Sequence, residues 1–75
     1  MPIVTIQVTR EGVSAAQKAA LIEGATDLLV RVLDKDPAAT FVLIEEVETD
    51  NWGFAGETVT ARRQREAMQR EGAAR

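Results

Sequence analysis

Two short stretches of the chain have patterns of hydrophobic and polar residues that predict β-strands, the first by alternation and the second by an apolar run. In residues 2–9 (PIVTIQVT), β-branched residues dominate, and Val4, Ile6 and Val8 fall on one side. Residues 40–47 (TFVLIEEV) predict the second strand, and their first half is apolar on both sides. Strands of this kind are usually covered on both faces, so we expect cover on both faces of the second strand.

One amphipathic helix is predicted between the two strands. Ser14 and Gln17 have the spacing of a capping box, in which the serine begins the helix. Apolar residues then recur at helical spacing, forming one stripe: Leu21, Ala25, Leu28, Leu29 and Val32. Residues 34–37 (DKDP) end the helix, because the residue before a proline avoids helical backbone angles. A strand, a helix and a strand in this order form a βαβ unit with parallel strands.

The chain after residue 50 divides into a glycine-containing loop region and an arginine-rich segment. Residues 52–57 (WGFAGE) predict a tight loop or hairpin, and residues 58–60 predict a short edge strand. Residues 61–75 favour helix by propensity but have no strong apolar stripe, so we expect them to be frayed or disordered. The predicted fold class is therefore α/β (α+β), a βαβ unit with a short C-terminal hairpin. Residues 1–60 form the domain and residues 61–75 an arginine-rich tail.

Length and composition predict a small subunit of an oligomer. The chain has 75 residues, which is one domain at most and leaves a marginal core. It has no cysteine and no histidine, so disulfides, thiol nucleophiles and the usual zinc sites are excluded. The single strongly amphipathic helix can cover one face of the sheet, so we expect another subunit to cover the other face. The absence of cysteine fits a reducing cytoplasm, and no apolar run approaches the ~18 residues of a membrane span. We therefore expect a cytoplasmic homo-oligomer with no membrane partner.

Charge is distributed unevenly along the chain. Residues 1–57 contain ten acids and four bases, a net charge of −6, whereas residues 58–75 contain five arginines and two glutamates, a net charge of +3. A basic tail raises the alternative of nucleic-acid binding through phosphate contacts. The tail has no aromatic residue to stack on bases, and the acidic body would repel the same polyanion. We therefore expect no nucleic-acid partner.

Few residue types remain for acid–base catalysis once histidine and cysteine are absent. The adjacent Glu45 and Glu46 point to opposite faces of a strand and so form a poor carboxylate pair. Removal of Met1 would give Pro2 a secondary amine, and an apolar site would lower the pKa of that amine towards neutrality. If Met1 is retained, the Pro2 nitrogen is an amide and cannot act as a base. The residues alone favour the interpretation that Pro2 is simply the start of the chain.

Four segments share their order and spacing with one known family: residues 1–4 (MPIV), 11–22 (EGVSAAQKAALI), 42–46 (VLIEE) and 51–57 (NWGFAGE). On these segments the chain resembles the 4-oxalocrotonate tautomerase family. The resemblance implies a βαβ fold with a small hairpin, assembled as a hexamer, with a trimer or a dimer as alternatives. It also implies that Pro2 is the general base in keto–enol tautomerisation of a small unsaturated 2-oxo or 2-hydroxy acid. It implies no metal and no organic cofactor. The alternatives are dehalogenation or hydration by the same proline, and a non-catalytic oligomer.

The resemblance also predicts which residues bind the small carboxylate substrate. Trp52 corresponds to the aromatic residue that lines the family's pocket. The family's two carboxylate-binding arginines have Val13 and either Phe41 or Val42 at their positions here, so neither arginine carries over. We expect Arg10, which lies nearby in the sequence, to bind the substrate carboxylate instead. Phe41 and Trp52 are expected to keep the pocket apolar.

Overall fold

A computed structural model describes residues 1–73 of the chain, with side chains as far as Arg70. The elements, in order, are β1 (Ile3–Thr9), α1 (Ala15–Leu33), β2 (Phe41–Val47), β3 (Gly53–Phe54), β4 (Glu57–Thr58) and α2 (Val59–Ala73). Short 3-10 turns at Pro37–Ala39 and Thr49–Asn51 precede β2 and β3.

The two longer strands pair in parallel along their whole length. Ile3 lies opposite Phe41 at one end of the pair, and Thr9 lies opposite Val47 at the other. Because the strands are parallel, α1 must run back from the carboxyl end of β1 to the amino end of β2. The predicted parallel βαβ unit is confirmed.

Local hydrogen bonds fix both ends of α1 at the predicted residues. The Ser14 hydroxyl accepts from the Gln17 amide at 3.1 Å, and the Gln17 side-chain oxygen accepts from the Ser14 amide at 2.9 Å. This reciprocal pair is the predicted capping box. At the other end, Asp34 adopts a left-handed backbone with φ of 53°, and its amide donates to the Val30 carbonyl. The chain then turns at Pro37 into β2.

The predicted apolar stripe of α1 is divided between two surfaces. The half-buried positions of the second half of the helix are Ala25, Thr26, Leu29 and Val30. The other members of the stripe, Leu21, Leu28 and Val32, are exposed. Each residue advances by about 100° around the helix axis. The half-buried residues are therefore centred about a quarter of a turn away from the centre of the predicted stripe. The helix therefore covers the sheet with one edge of its apolar surface and leaves the other edge uncovered.

The two faces of the β1–β2 sheet differ in the same way. Half-buried side chains occupy the face towards α1: Val4, Ile6, Val42 and Ile44. On the opposite face, Ile3, Phe41 and Leu43 are exposed. The prediction that the chain's own helix covers a single face is confirmed. The open face carries large apolar side chains, which is typical of an interaction surface.

The C-terminal hairpin is confirmed, although it is shorter than predicted. β3 and β4 pair antiparallel and are joined by Ala55 and Gly56, with φ of 54° and 81°. Two consecutive positive φ values define a type I′ turn, the connection that matches the twist of a hairpin. β4 ends at Thr58, so the predicted edge strand over residues 58–60 is replaced by the start of α2.

Residues 61–73 are helical, so the expectation that residues 61–75 are frayed or disordered is wrong for them. Residues 74 and 75 lie outside the described part of the chain. Side-chain contacts supply what the missing apolar stripe does not. The Thr58 hydroxyl accepts from the Ala61 amide at 3.1 Å and satisfies a free donor of the first turn. The Arg63 guanidinium ties the helix to Glu11, 52 residues earlier in the chain.

The side chain of Val59 is only 3% exposed, and it is the one buried hydrophobic side chain within the described residues. Its amide donates to the Trp52 carbonyl at 2.8 Å, so the start of α2 closes over the hairpin. The most protected packing of the single chain therefore lies at the junction of α2 and the hairpin.

We predict that Val59→Ala lowers the free energy of unfolding by about 1–3 kcal/mol, because it removes two buried methyl groups and leaves a cavity. The measurement is urea unfolding followed by circular dichroism at fixed protein concentration. Met68→Ala is the matched control, since Met68 is on the same helix and 71% exposed, and its effect should stay within about 0.5 kcal/mol. Equal losses for the two variants would contradict the assignment of the core to this junction.

Candidate active site

Pro2 and Phe41 lie together at the amino end of the sheet. Pro2 is half-buried immediately before β1, and its carbonyl accepts from the Phe41 amide at 3.0 Å. This bond extends the ladder of β1 and β2 by one step beyond the Ile3 pair. Two of the predicted site residues are thus brought together within one chain.

Arg10 and Trp52 lie at the opposite, carboxyl end. The Arg10 amide donates to the Val47 carbonyl at 2.8 Å, directly after the last pair of the sheet. Trp52 is half-buried and follows the turn Thr49–Asn51, which comes after β2. At ~3.3 Å per residue, seven-residue strands separate the two ends by about 20 Å. A single chain therefore does not bring Arg10 or Trp52 to Pro2.

The Arg10 side chain joins a cluster of charges at this carboxyl end. Its Nε lies 2.7 Å from Glu48 Oε1, and its Nη1 lies 3.4 Å from Glu46 Oε2. The other oxygen of Glu46 lies 2.5 Å from Lys18 Nζ, on the first turns of α1. The side chain of Glu46 is 14% exposed, and its hydrogen bond with Lys18 holds the pKa of this carboxyl below its usual value.

A second ion pair ties the loop after β1 to the C-terminal helix. Arg63 Nε donates to Glu11 Oε1 at 2.7 Å, and Arg63 Nη1 lies 3.3 Å from Glu66 Oε2. The Arg63 bond lowers the pKa of the Glu11 carboxyl, and the same contact raises the pKa of the Arg63 guanidinium. The loop that carries Arg10 is therefore held by α2.

The neighbouring arginines of α2 also contact carboxylates of their own chain. Arg62 lies over the Phe54 ring, 4.8 Å from its centre, and its Nε donates to Glu66 at 3.1 Å. Arg65 Nη2 lies 2.7 Å from Glu57 Oε1. These contacts neutralise much of the positive charge that the sequence places in the tail.

Sequence reasoning missed the Lys18–Glu46 pair, although the alternation of β2 contains a signal for it. Glu45 is exposed and accepts from the Gln7 side chain at 2.9 Å, whereas Glu46 faces α1. The prediction that the two glutamates point to opposite faces is confirmed. Since Glu46 shares its face with the half-buried Val42 and Ile44, it needs a cation from the helix above it.

Between residues 1 and 73, no group of three or more carboxylates, histidines or cysteines is arranged to hold a metal ion. Over the same range, neither helix combines the length and the apolar character needed to cross a bilayer.

Comparison with known families gives one match, to the family described as "Tautomerase enzyme", over residues 2–62. The match spans most of the chain, including β1, α1, β2 and the hairpin. The chain belongs to the tautomerase family, and the resemblance stated from the four sequence segments is confirmed.

Individual relatives agree with this assignment. A probable tautomerase from Dickeya dadantii is 61% identical over 64 residues, which is 85% of this chain and 96% of the relative. The crystal structure of DmpI from Helicobacter pylori superposes with a TM-score of 0.79 at 43% identity, covering 84% of this chain and 97% of that one. TomN, a 4-oxalocrotonate tautomerase homologue of the tomaymycin biosynthetic pathway, gives 0.78 at 30% identity, covering 84% and 95%. Family and relatives together support an isomerase with tautomerase-like activity.

One of the solved structures with this fold is that of a heterohexamer. It is the heterohexamer 4-oxalocrotonate tautomerase from Chloroflexus aurantiacus, with a TM-score of 0.73 at 23% identity, covering 80% of this chain and 95% of that one. At this identity the likeness concerns the fold.

We predict that Glu46→Gln reduces the acid sensitivity of the folded protein. The pKa of Glu46 is lowered on folding, so its carboxylate stabilises the fold above the unfolded value of ~4.3. That stabilisation is lost as the pH falls through the lower folded value. The urea midpoint should therefore fall between pH 6 and pH 3 in the wild type, and it should fall less in Glu46→Gln.

Glu45→Gln is the matched control, because it removes the same charge from the next residue on the opposite face of β2. It should retain the pH dependence of the wild type. If both variants flatten the profile equally, the effect comes from net charge rather than from the contact with Lys18.

Proposed function

We propose that the chain is a cofactor-independent isomerase that interconverts the enol and keto forms of a small unsaturated 2-oxo acid, with the amine of Pro2 as general base. Met1 must be removed for this amine to exist. The amine takes the hydroxyl proton of the enol and returns a proton to a carbon atom of the substrate, so the amine ends in its starting state. Membership of the tautomerase family supports this chemistry.

The observation that carries the proposal is the position of Pro2. Its carbonyl is fixed by the Phe41 amide at the edge of the sheet, beside the exposed apolar side chains of Ile3 and Phe41. A base held by the main chain does not need a further residue to orient it. Apolar neighbours disfavour the charged form of an amine, which keeps part of it neutral near pH 7.

The remaining residues of the site come, in this proposal, from a neighbouring copy of the chain. Arg10 and Trp52 lie about 20 Å from Pro2 in their own chain, at the end of the sheet opposite to that of Pro2 and Phe41. The carboxyl end of one subunit can meet the amino end of another. The ion pairs of Arg10 use Nε and Nη1. In the proposed site Nη2 therefore binds the substrate carboxylate, and Trp52 covers the pocket.

We propose a hexamer as the assembly. The open sheet face and the uncovered edge of α1, with Leu28 and Val32 exposed, are two different apolar surfaces. A hexamer built from dimers and trimers has two kinds of subunit contact, and these two surfaces offer one for each.

We predict that Pro2→Ala lowers kcat/KM for ketonisation of phenylenolpyruvate by at least about a hundredfold, the usual scale for loss of a general base. Intact-mass spectrometry of the same preparations must show that Met1 is absent. The control is Gln64→Ala, an exposed residue of α2, which should keep the wild-type rate. Equal rates for wild type and Pro2→Ala would remove Pro2 from the mechanism. A native protein that retains Met1 quantitatively would be a non-catalytic member of the family.

We predict that two inactive variants recover activity when they are unfolded together and refolded as a mixture. A site that takes Pro2 from one subunit and Trp52 from another is intact wherever a Trp52→Ala subunit supplies the proline and a Pro2→Ala subunit supplies the tryptophan. Random mixing should restore about a quarter of the sites. The control mixes separately refolded variants without exchange and should stay inactive. No recovery from an exchanged, correctly sized oligomer would place both residues of a site in one chain.

A further inference from the structure

The Arg10 guanidinium, which the proposed site uses to hold a carboxylate, already contacts two carboxylates of its own chain. Its Nε lies 2.7 Å from Glu48 Oε1, and its Nη1 lies 3.4 Å from Glu46 Oε2. The other oxygen of Glu46 lies 2.5 Å from Lys18 Nζ. The two cations and two carboxylates of this cluster therefore balance each other before any ligand binds.

These contacts leave no complete edge of the guanidinium open to a ligand. An arginine binds a carboxylate at two points either through Nε and Nη2 or through Nη1 and Nη2, because the N–H groups of each pair point the same way. Glu48 occupies the first edge at Nε, and Glu46 occupies the second edge at Nη1. A ligand that meets Nη2 alone gains one hydrogen bond, whereas a ligand that gains two must displace a glutamate.

The two glutamates differ in how firmly they are held. The Glu46 side chain is only 14% exposed and is also bound by Lys18, so a ligand carboxylate on its edge would lie against a fixed negative charge. The Glu48 side chain is 61% exposed, and it can rotate into water at little cost because exposed ion pairs contribute little to stability. The edge formed by Nε and Nη2 is therefore the one that can open.

The main chain at Glu48 does not depend on the contact of its side chain with Arg10. The Glu48 carbonyl accepts from the Asn51 amide at 2.8 Å, which closes the turn before Trp52. The Glu48 side chain makes no capping hydrogen bond in this turn. Release of the Glu48 carboxylate therefore changes the donors that Arg10 offers and leaves the turn intact.

We propose that Glu48 is an internal competitor of the substrate, whose carboxylate binds Arg10 by replacing that of Glu48 at Nε. Glu48 thus lowers the affinity of the site for carboxylates, and loss of its charge raises that affinity. Because one ion pair replaces another, binding to the wild type depends weakly on salt. This inference rests on the proposed function, and it adds the residue that regulates the affinity of Arg10 for its ligand.

The first test compares KM for phenylenolpyruvate in the wild type and in Glu48→Gln. The variant should lower KM about two- to fivefold, the scale of one exposed ion pair, and it should keep the wild-type kcat because Glu48 does not touch the reacting atoms. Glu23→Gln is the matched control, which removes the same charge from an exposed position of α1 and should keep the wild-type KM. An unchanged or higher KM in Glu48→Gln, or an equal fall in Glu23→Gln, would overturn the inference.

The second test measures binding without turnover, so it does not depend on the Pro2 amine. Trp52 is the sole tryptophan of the chain, and its fluorescence follows titration with cinnamate, a stable monocarboxylate. Raising the ionic strength should increase the Kd more in Glu48→Gln than in the wild type, because only the variant forms a new ion pair on binding. Equal salt dependence of the two proteins would overturn the exchange of carboxylates.

A double-mutant cycle separates the inference from the proposed function. Arg10→Gln should raise KM, and Glu48→Gln should have no further effect in that background, with gel filtration showing the wild-type oligomer throughout. A wild-type KM in Arg10→Gln would overturn the role of Arg10 in the proposed function, and activity that survives Pro2→Ala would overturn the proposed base. A raised KM in Arg10→Gln that Glu48→Gln still lowers would overturn the competition alone.

Discussion

The parallel pairing of β1 with β2 decides where the helix, the hairpin and the candidate site residues lie. Parallel strands need a long crossover, and α1 supplies it and covers one face of the sheet. The same pairing places Pro2 and Phe41 at one end and Arg10 and the hairpin at the other. A sheet of two strands with one helix cannot enclose a core, and Val59 is accordingly the one buried hydrophobic side chain in the described part of the chain. The sheet has an open face, and the candidate site residues lie at its two ends, because the chain has so few elements.

At the carboxyl end of the sheet, ion pairs join elements that apolar packing would otherwise hold together. Lys18 and Glu46 join α1 to β2, and Arg63 and Glu11 join α2 to the loop after β1. Exposed ion pairs contribute little to stability singly, so the pair at the half-buried Glu46 matters most. The network has a chemical consequence as well. It holds the Arg10 side chain against Glu46 and Glu48 and limits the donors that it can offer to a ligand.

A chain without histidine or cysteine has few groups that can exchange a proton near neutral pH, and the family to which this chain belongs directs attention to the terminal amine. Such an amine needs an apolar surrounding to stay partly neutral. The surface next to Pro2 is apolar but open in the single chain. In the proposed assembly a neighbouring subunit closes this surface and supplies Arg10, which binds the substrate carboxylate. Oligomerisation then contributes both the cover that the sheet lacks and half of the site.

Local patterns in the sequence were sufficient to predict β1, α1 and β2, because these elements depend on neighbouring residues. The alternation of residues 2–9, the capping box at Ser14 and Gln17, and the stop before Pro37 gave the βαβ unit almost to the residue. Local sequence patterns did not predict features that depend on contacts between distant residues. The α2 helix is held by Glu11, 52 positions away, and the orientation of α1 follows from its packing on the sheet rather than from the centre of its stripe. The separation of Pro2 from Arg10 and Trp52 also belongs to the tertiary structure, because the direction in which two strands pair decides which ends meet.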